Sequence, residues 1–261
     1  MGKKVVAFSL YGTNKMYQDG AIENAKLVKK YYPDWECRFY ISQEVASETI
    51  ELLQENNAKV IHKVREDEVD GTFWRFMPMS EEDVEILIVR DADSRISLRE
   101  VYAVEEWINS AKKCHIMRDN PGHVILIPAG MFGMRGGVIP NIEKLIKEWK
   151  TRRKKQGLGW ADSYGLDQLF LAQEIYPKIK SSVLIHSELV KFRGETVCSF
   201  PTQRINNEFV GEAITFEDTD MNNINFEKLK LRTYPHSIFY YNSFFMKLLQ
   251  ILKTILKKRA K

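Results

Sequence analysis

The stretch EILIVRDADSR, residues 85–95, decides the fold class. Residues 85–89 run apolar across both faces at their centre, the pattern of a strand covered on both sides in a parallel sheet. The run then breaks into RDADSR, a polar segment with two carboxylates. Upstream, 5–10 reads as another buried strand. Residues 20–31 have helical spacing and stop before Pro33. Strands follow at 37–41 and 58–64, with a helix over 43–56 between them and a helix-start or turn signal at 80–83. This β-α-β-α-β order predicts an α/β fold built on an open sheet flanked by helices. Ligands in such sheets bind at the carboxyl ends of strands, where RDADSR lies.

Downstream, 98–112 reads as a helix and 115–137 as a segment rich in Gly, His and Arg. Residues 141–156 form a charged amphipathic helix, and 167–176 a shorter one. Short strands and loops occupy 186–204 and 209–216. No internal repeat or low-complexity linker divides the chain. The reading is one catalytic unit over 1–237 and a distinct tail over 238–261.

The chain has 261 residues, of which 44% are hydrophobic, enough for a sizeable core and against wholesale disorder. Cys37, Cys114 and Cys198 are scattered without a CxxC spacing, against a disulfide framework or a structural zinc site. The first residues, MGKKVVAFSLYG, carry an apolar run too short for a signal peptide, so a reduced, cytoplasmic protein is expected. The net charge of +4 is uneven: residues 247–261 hold six Lys/Arg and no Asp/Glu, leaving 33 basic against 35 acidic residues elsewhere. A nucleic-acid partner is therefore not expected, and the positive charge is placed to meet an anionic surface.

Asp91 and Asp93 flank Ala92 directly after the strand. Residues two apart in extended chain face the same way. At a strand end the pair offers oxygens to a hard cation, Mn²⁺ or Mg²⁺. Such a cation suits the phosphates of a nucleotide and acts as a Lewis acid on a leaving phosphate. Arg90 and Arg95 surround the pair and offset carboxylate repulsion or contact phosphate. Arg75, among aromatics in FWRF, reads as a diphosphate or ring contact, or as half of a structural ion pair.

His115, Arg118, Asp119 and His123 fall within nine residues. They read as a cleft wall for sugar hydroxyls or phosphates, or as a surface loop with a salt bridge. Gly130 begins a Gly-rich run that permits close backbone approach to a ligand; without a GKS/GKT ending it is no Walker loop. Asp167 and Gln168 open a helix in GLDQLFLAQ, where Asp is also a favoured helix-start residue.

The order SLYG, YPDWECRFYIS, WRF, RDADSR, HIMRDNPGH with AGMFGMRGG, GLDQLFL, then a late His-Ser, FPTQR and FVGE resembles a group of bacterial and viral glycosyltransferases of the GT-A fold. The resemblance runs over about 5–212, and RDADSR with HIMRDNPGH carries most of it. It implies an open mixed sheet and metal-dependent transfer from a nucleotide sugar, such as a UDP- or GDP-sugar, to a glycan or lipid-linked glycan acceptor. Surface polysaccharide or glycoconjugate synthesis is the implied setting. It further implies that Asp167 and Gln168 abut the donor sugar, with Asp167 holding sugar hydroxyls or acting as a base. His186 becomes a third metal ligand, and Tyr11 and Gly12, at the end of the first strand, meet the nucleotide base. A core role for Tyr11 and a structural one for His186 stay open.

In the tail, Tyr241, Phe244, Phe245, Leu248, Leu249, Ile251, Leu252, Ile255 and Leu256 recur at helical spacing, against Asn242, Gln250, Lys253, Thr254 and Lys257. An amphipathic helix with a basic face is the pattern of a peripheral anchor on the inner face of a membrane. The alternative is a helix packed on the enzyme or a second subunit. Two other functional classes compete. A sugar nucleotidyltransferase would carry a Gly-rich basic loop after the first strand, which SLYGTNKMYQDG lacks. A non-catalytic membrane adaptor with a decayed transferase-like fold would have lost Asp91, Asp93, Asp167 and Gln168.

Overall fold

A computed structural model describes residues 2–157, 165–205, 207–214 and 226–236. The tail over 238–261, with its expected amphipathic helix, lies outside the described residues.

The chain runs through β1 (Lys3–Leu10), α1 (Lys15–Tyr31), β2 (Glu36–Ile41), α2 (Ser47–Glu55), β3 (Lys59–His62), α3 (Asp70–Phe73), β4 (Val84–Arg90), α4 (Leu98–Asn109), β5 (Cys114–Arg118), β6 (Met131–Arg135), α5 (Ile142–Lys155), α6 (Leu166–Phe170), α7 (Tyr176–Ile179), β7 (Val183–Ser187), β8 (Val190–Phe192) and β9 (Arg232–Tyr234). Seven strands form one sheet in the order β3-β2-β1-β4-β6-β5-β7. All neighbours are parallel except β6, which runs antiparallel to β4 and β5. The sheet is thus open and mixed, with helices on both faces. β8 and β9 make a small parallel ribbon.

Strict alternation along the strands builds two cores. Val5, Ala7, Leu87 and Val89 pack with Phe76, Ile142, Trp149 and Phe170 on one face. Val6, Phe8, Ile86 and Ile88 pack with Ala21, Val28, Leu53, Val104 and Trp107 of α1, α2 and α4 on the other. Successive side chains point to opposite faces, so each strand's continuous apolar run feeds both layers.

The strand order creates a switch point. From β1 the chain builds outward through β2 and β3, then returns to place β4 on the other side of β1. The ends of β1 and β4 lead into different connections, and it is at such a switch point that open α/β sheets place their ligand crevice.

The expected strands and main helices are present with adjusted ends. α1 begins at Lys15 rather than 20, because Asn14 accepts the Met16 N–H at 3.0 Å and caps it. Gly20 lies inside that helix, where a Cβ would overlap the Ala92 carbonyl oxygen. A glycine that reads as a helix start is therefore a close-approach residue. The helix expected over 167–176 is present as α6, a π-helical turn over Leu171–Ile175 and α7. Two elements had weak sequence signals: the 3-10 helix Trp74–Ser80 after α3, and β6, whose glycine and methionines lack strand propensity. Gly133 lets β6 pass beneath Trp107, whose ring would lie 2.8 Å from a Cβ there.

Candidate active site at the β1/β4 crevice

β4 delivers its last residues alternately to the two faces. Arg90 turns toward α4 and Asp91 toward the opposite side, where the 3-10 helix presents Arg75. The Arg75 backbone N–H donates to Ser9 Oγ at 3.1 Å, which ties that helix to the end of β1. Its guanidinium pairs through Nη1 with Asp91 and through Nη2 with Asp167 Oδ2 at 2.8 Å, and Nη1 also donates to the Arg90 carbonyl at 3.3 Å. One buried cation thus gathers two carboxylates that are 76 residues apart in sequence, a relation that no local motif carries.

Asp91 is the more open member, with its side chain 43% exposed. Gly130 backs it, since a Cβ there would overlap Asp91 Oδ2. Asp93 is partly buried. Burial and the nearby Asp91 charge push its carboxyl above the ordinary value, against a backbone hydrogen bond and the pull of Arg75 and Arg95. Asp167 is raised by burial, against the pull of Arg75 and with a push from Asp91. Its Oδ1 accepts the Gln168 N–H at 2.8 Å, and Gly165, at φ +77°, sets the turn before it. Gln168 sits half-buried on the same turn.

The loop over 91–96 is held from behind by α1. Asn24 Nδ2 donates to the Ser94 carbonyl at 2.7 Å and the Ala92 carbonyl at 3.3 Å, and Asn24 Oδ1 accepts the Ile96 N–H. From the far side, the Ile214 N–H donates to the Asp93 carbonyl at 2.9 Å. Asn24 and Gly20 escaped the sequence reading because their partners lie some 70 residues away.

At the β1 end, Gly12 adopts φ +76° and donates its N–H to Glu44 Oε2 at 3.1 Å. Tyr11 stands edge-on to Trp74, with Arg65 5.5 Å above its ring. Gly71 permits this, because a Cβ there would overlap the Tyr11 ring. Burial pushes the Tyr11 phenol up to about 12, so it stays protonated. Beside these residues an open pocket of about 360 Å³ is lined by Ser42, Glu44, Lys63 and Arg65, among others. Glu44 and Arg65 had no motif to announce them.

Several expected site residues lie elsewhere. Arg90 donates from Nε to Glu100 at 2.5 Å, both fully buried under α4, so it is structural rather than a phosphate contact. Arg95 folds back on its own loop, with Nη1 on the carbonyls of Ala92, Asp93 and Ser94. Arg118 is fully buried, forked onto Glu195 at 2.8 and 2.9 Å and onto the carbonyls of Ile125 and Leu126. Asp119 is fully buried between Arg99 and Arg204 and accepts the Val210 N–H at 3.0 Å. His123 Nδ1 accepts the backbone N–H groups of Asp119 and Asn120 at 3.1 and 3.2 Å. These three hold a loop together and form no cleft wall.

His115 and His186 also leave the site. Both are fully buried on the α4 face, and His115 Nε2 lies 2.7 Å from His186 Nδ1. His186 is on β7, three strands from β4, a separation of about 14 Å at ordinary strand spacing, and on the face away from Asp91. It is therefore no third ligand for the Asp91/Asp93 pair. Sequence cannot weigh this, because the order of strands in the sheet is a tertiary fact.

The two aspartates still fit a divalent cation of the Mn²⁺ or Mg²⁺ type. Both are oxygen donors, burial and the Asp91 charge raise Asp93, and Asp91 is exposed at the strand end. Such cations commonly take one or two carboxylates and complete their shell with water and substrate phosphate.

No family model matches the chain, and no curated protein matches it. Solved structures resemble it in part. The galactosyltransferase LgtC, in complex with donor and acceptor sugar analogues, is 14% identical over 72% of this chain and 76% of its own, at a TM-score of 0.45. Glucosyl-3-phosphoglycerate synthase of Mycobacterium tuberculosis is 12% identical over 70% of each chain, at 0.44. A putative glucose-1-phosphate thymidylyltransferase of Bacillus anthracis is 12% identical over 70% of this chain and 86% of its own, at 0.42.

Proposed function

We propose that this protein is a divalent-metal-dependent glycosyltransferase taking a nucleotide-sugar donor. The observation that carries the reading is the gathering of Asp91, Asp93, Arg75 and Asp167 at the β1/β4 crevice. An exposed Asp91 with Asp93 beside it, a fixed guanidinium and the buried carboxylate of Asp167 suit a diphosphate linked to a hexose.

On this reading Asp91 and Asp93 would hold Mn²⁺ or Mg²⁺, which when bound supplies positive charge for the leaving diphosphate. Arg75 keeps Asp91 aimed into the crevice and has its own charge beside the phosphates. Asp167 has one oxygen on Arg75 and the other on the Gln168 N–H. Each oxygen retains a lone-pair direction for a sugar hydroxyl, so its proposed role is orientation of the sugar, with Gln168 beside it. Tyr11, Gly12, Glu44 and Arg65 frame the proposed base pocket.

The decisive measurement is a thermal-shift titration with nucleoside diphosphates, with and without Mn²⁺. Stabilisation needing both is expected, about 2.7 kcal/mol at a hundredfold excess over Kd. A nucleotide response that ignores the metal, or no response to any nucleotide, would sink the reading.

Among the described residues no helix is long and apolar enough to cross a membrane. We propose a peripheral membrane role for the tail over 238–261, beside a lipid-linked acceptor, on its charge and apolar spacing alone. Loss of binding to anionic vesicles on removing the tail is the expected result, and unchanged binding would end the proposal.

A further inference from the structure

On the α4 face of the sheet, away from the crevice, β7 places His186 against an isolated parallel bridge to Cys198. The Cys198 N–H donates to the Ile185 carbonyl and the Ser187 N–H to the Cys198 carbonyl, both at 2.9 Å. Residues bridged this way present their side chains together. Glu106 on α4 completes the group: a carboxylate oxygen of Glu106, a ring nitrogen of His186 and Sγ of Cys198 all lie within 4.8 Å of one another. The sequence separates these residues by 80 and 12 positions, so no ligand spacing is visible in it.

Two independent features say that this group is incomplete. His186 Nε2 is fully buried and makes no hydrogen bond among the described residues, with Glu106 Oε2 at 3.4 Å. On the other side of the ring, His186 Nδ1 is engaged with His115 Nε2 at 2.7 Å, and His115 is clamped by stacking on Trp107 at 5.5 Å. If His186 Nδ1 carries the proton and donates to His115, Nε2 is left as a lone pair directed at Glu106 and Cys198. A metal-ligating histidine is oriented in the same way, by an acceptor for its other ring N–H, the part that His115 plays here.

We infer that Glu106, His186 and Cys198 form a second metal site, distinct from Asp91 and Asp93, that takes Zn²⁺. The donor set is one oxygen, one nitrogen and one sulfur, which suits borderline-soft zinc and leaves a fourth tetrahedral position for water. Hard Mn²⁺ or Mg²⁺ suits it poorly. The side chain of Glu106 is 48% exposed, which supplies an entry path and the freedom to close on the ion. On binding, the Cys198 thiol, which otherwise donates to the Ile185 carbonyl at 3.4 Å, loses its proton to solvent and the thiolate ligates. The site would tie α4 to β7 and to the strand end that leads into the 200–214 segment, which reaches the Asp93 carbonyl through Ile214.

The test uses the full chain, stripped with chelator and titrated with Co²⁺ as a spectroscopic substitute for Zn²⁺. A near-ultraviolet thiolate-to-cobalt absorption saturating at one equivalent, and bleached by Zn²⁺, is expected. C198S should lose that absorption while keeping the metal-free Tm. E106Q should weaken Zn²⁺ binding by about tenfold or more. D91N/D93N should leave the absorption intact. No thiolate absorption in the wild type, or its persistence in C198S with Cys37 and Cys114 still present, would overturn the inference.

Discussion

Among the described residues, two clusters of charged side chains on the same sheet behave as opposites. At the β1/β4 crevice, Arg75, Asp91, Asp93 and Asp167 come from three separate segments and remain under-compensated. Two of the three carboxyls are raised by burial and mutual repulsion, and Asp91 faces solvent. At the β5 end, Arg118, Asp119 and His123 lie close in sequence and are closed off by Glu195, Arg99, Arg204 and backbone groups. A cluster that satisfies its own charges holds a fold; one that leaves charge unsatisfied beside a cleft has capacity for a ligand. The second cluster looked more like a site in sequence because its residues are neighbours there.

The sharpest way to break this contrast is to cut the closed network. Arg118→Met leaves Glu195 buried without its cation. A loss of about 3–5 kcal/mol in denaturant unfolding is expected. A loss under 1 kcal/mol would mean that the network is not a stability element.

Gly130→Ala works on the open side. The added Cβ overlaps Asp91 Oδ2, so the carboxylate must move. A cost of about 1–3 kcal/mol is expected, together with loss of Mn²⁺-dependent nucleotide stabilisation. Retention of the nucleotide response would mean that the position of Asp91 is not critical.

Acid sharpens the comparison further. Burial, with Arg118 and Arg204 nearby, holds the His123 imidazole neutral and its pKa down to about 3 against an ordinary 6.5. The unfolded chain binds the extra proton first. This contribution is therefore whole above pH 6.5 and is lost as pH falls toward 3, by about 1.4 kcal/mol per pH unit. His123→Asn keeps an acceptor for the Asp119 and Asn120 N–H groups and cannot titrate. Its unfolding free energy should fall less steeply over that window, and an identical pH slope would remove His123 as the cause.

The smallest effect on stability is expected for Asp93→Asn. It removes one of two repelling carboxylates, so Tm should hold or rise while the Mn²⁺-dependent nucleotide response disappears. A drop in Tm with the response intact would place Asp93 among the structural residues.

Much of the architecture was legible one strand at a time. Apolar runs marked β1, β2 and β4, Pro33 marked the end of α1, and the break from EILIV into RDADSR marked the ligand edge. β6 was not legible, because Gly133 is needed for passage under Trp107 and neither it nor the methionines carry strand propensity. Arg75 and Asp167 were legible as candidates, but not as partners. Arg90 and Arg95 were misread for a physical reason: one turns to the other face by strand alternation, and the other is drawn back to its own loop carbonyls.

What the sequence by itself determined is local: which segments are strands or helices, where the chain leaves a strand with two aspartates, and that its basic charge concentrates at 247–261. These follow from periodicity and composition, which are written along the chain. What only the tertiary structure decided is company. Arg75 meets Asp91 and Asp167, and His186 meets His115, Glu106 and Cys198 instead of the aspartates. Strand order, sheet face and the depth of burial set those meetings, and none of the three is a property of neighbours in sequence.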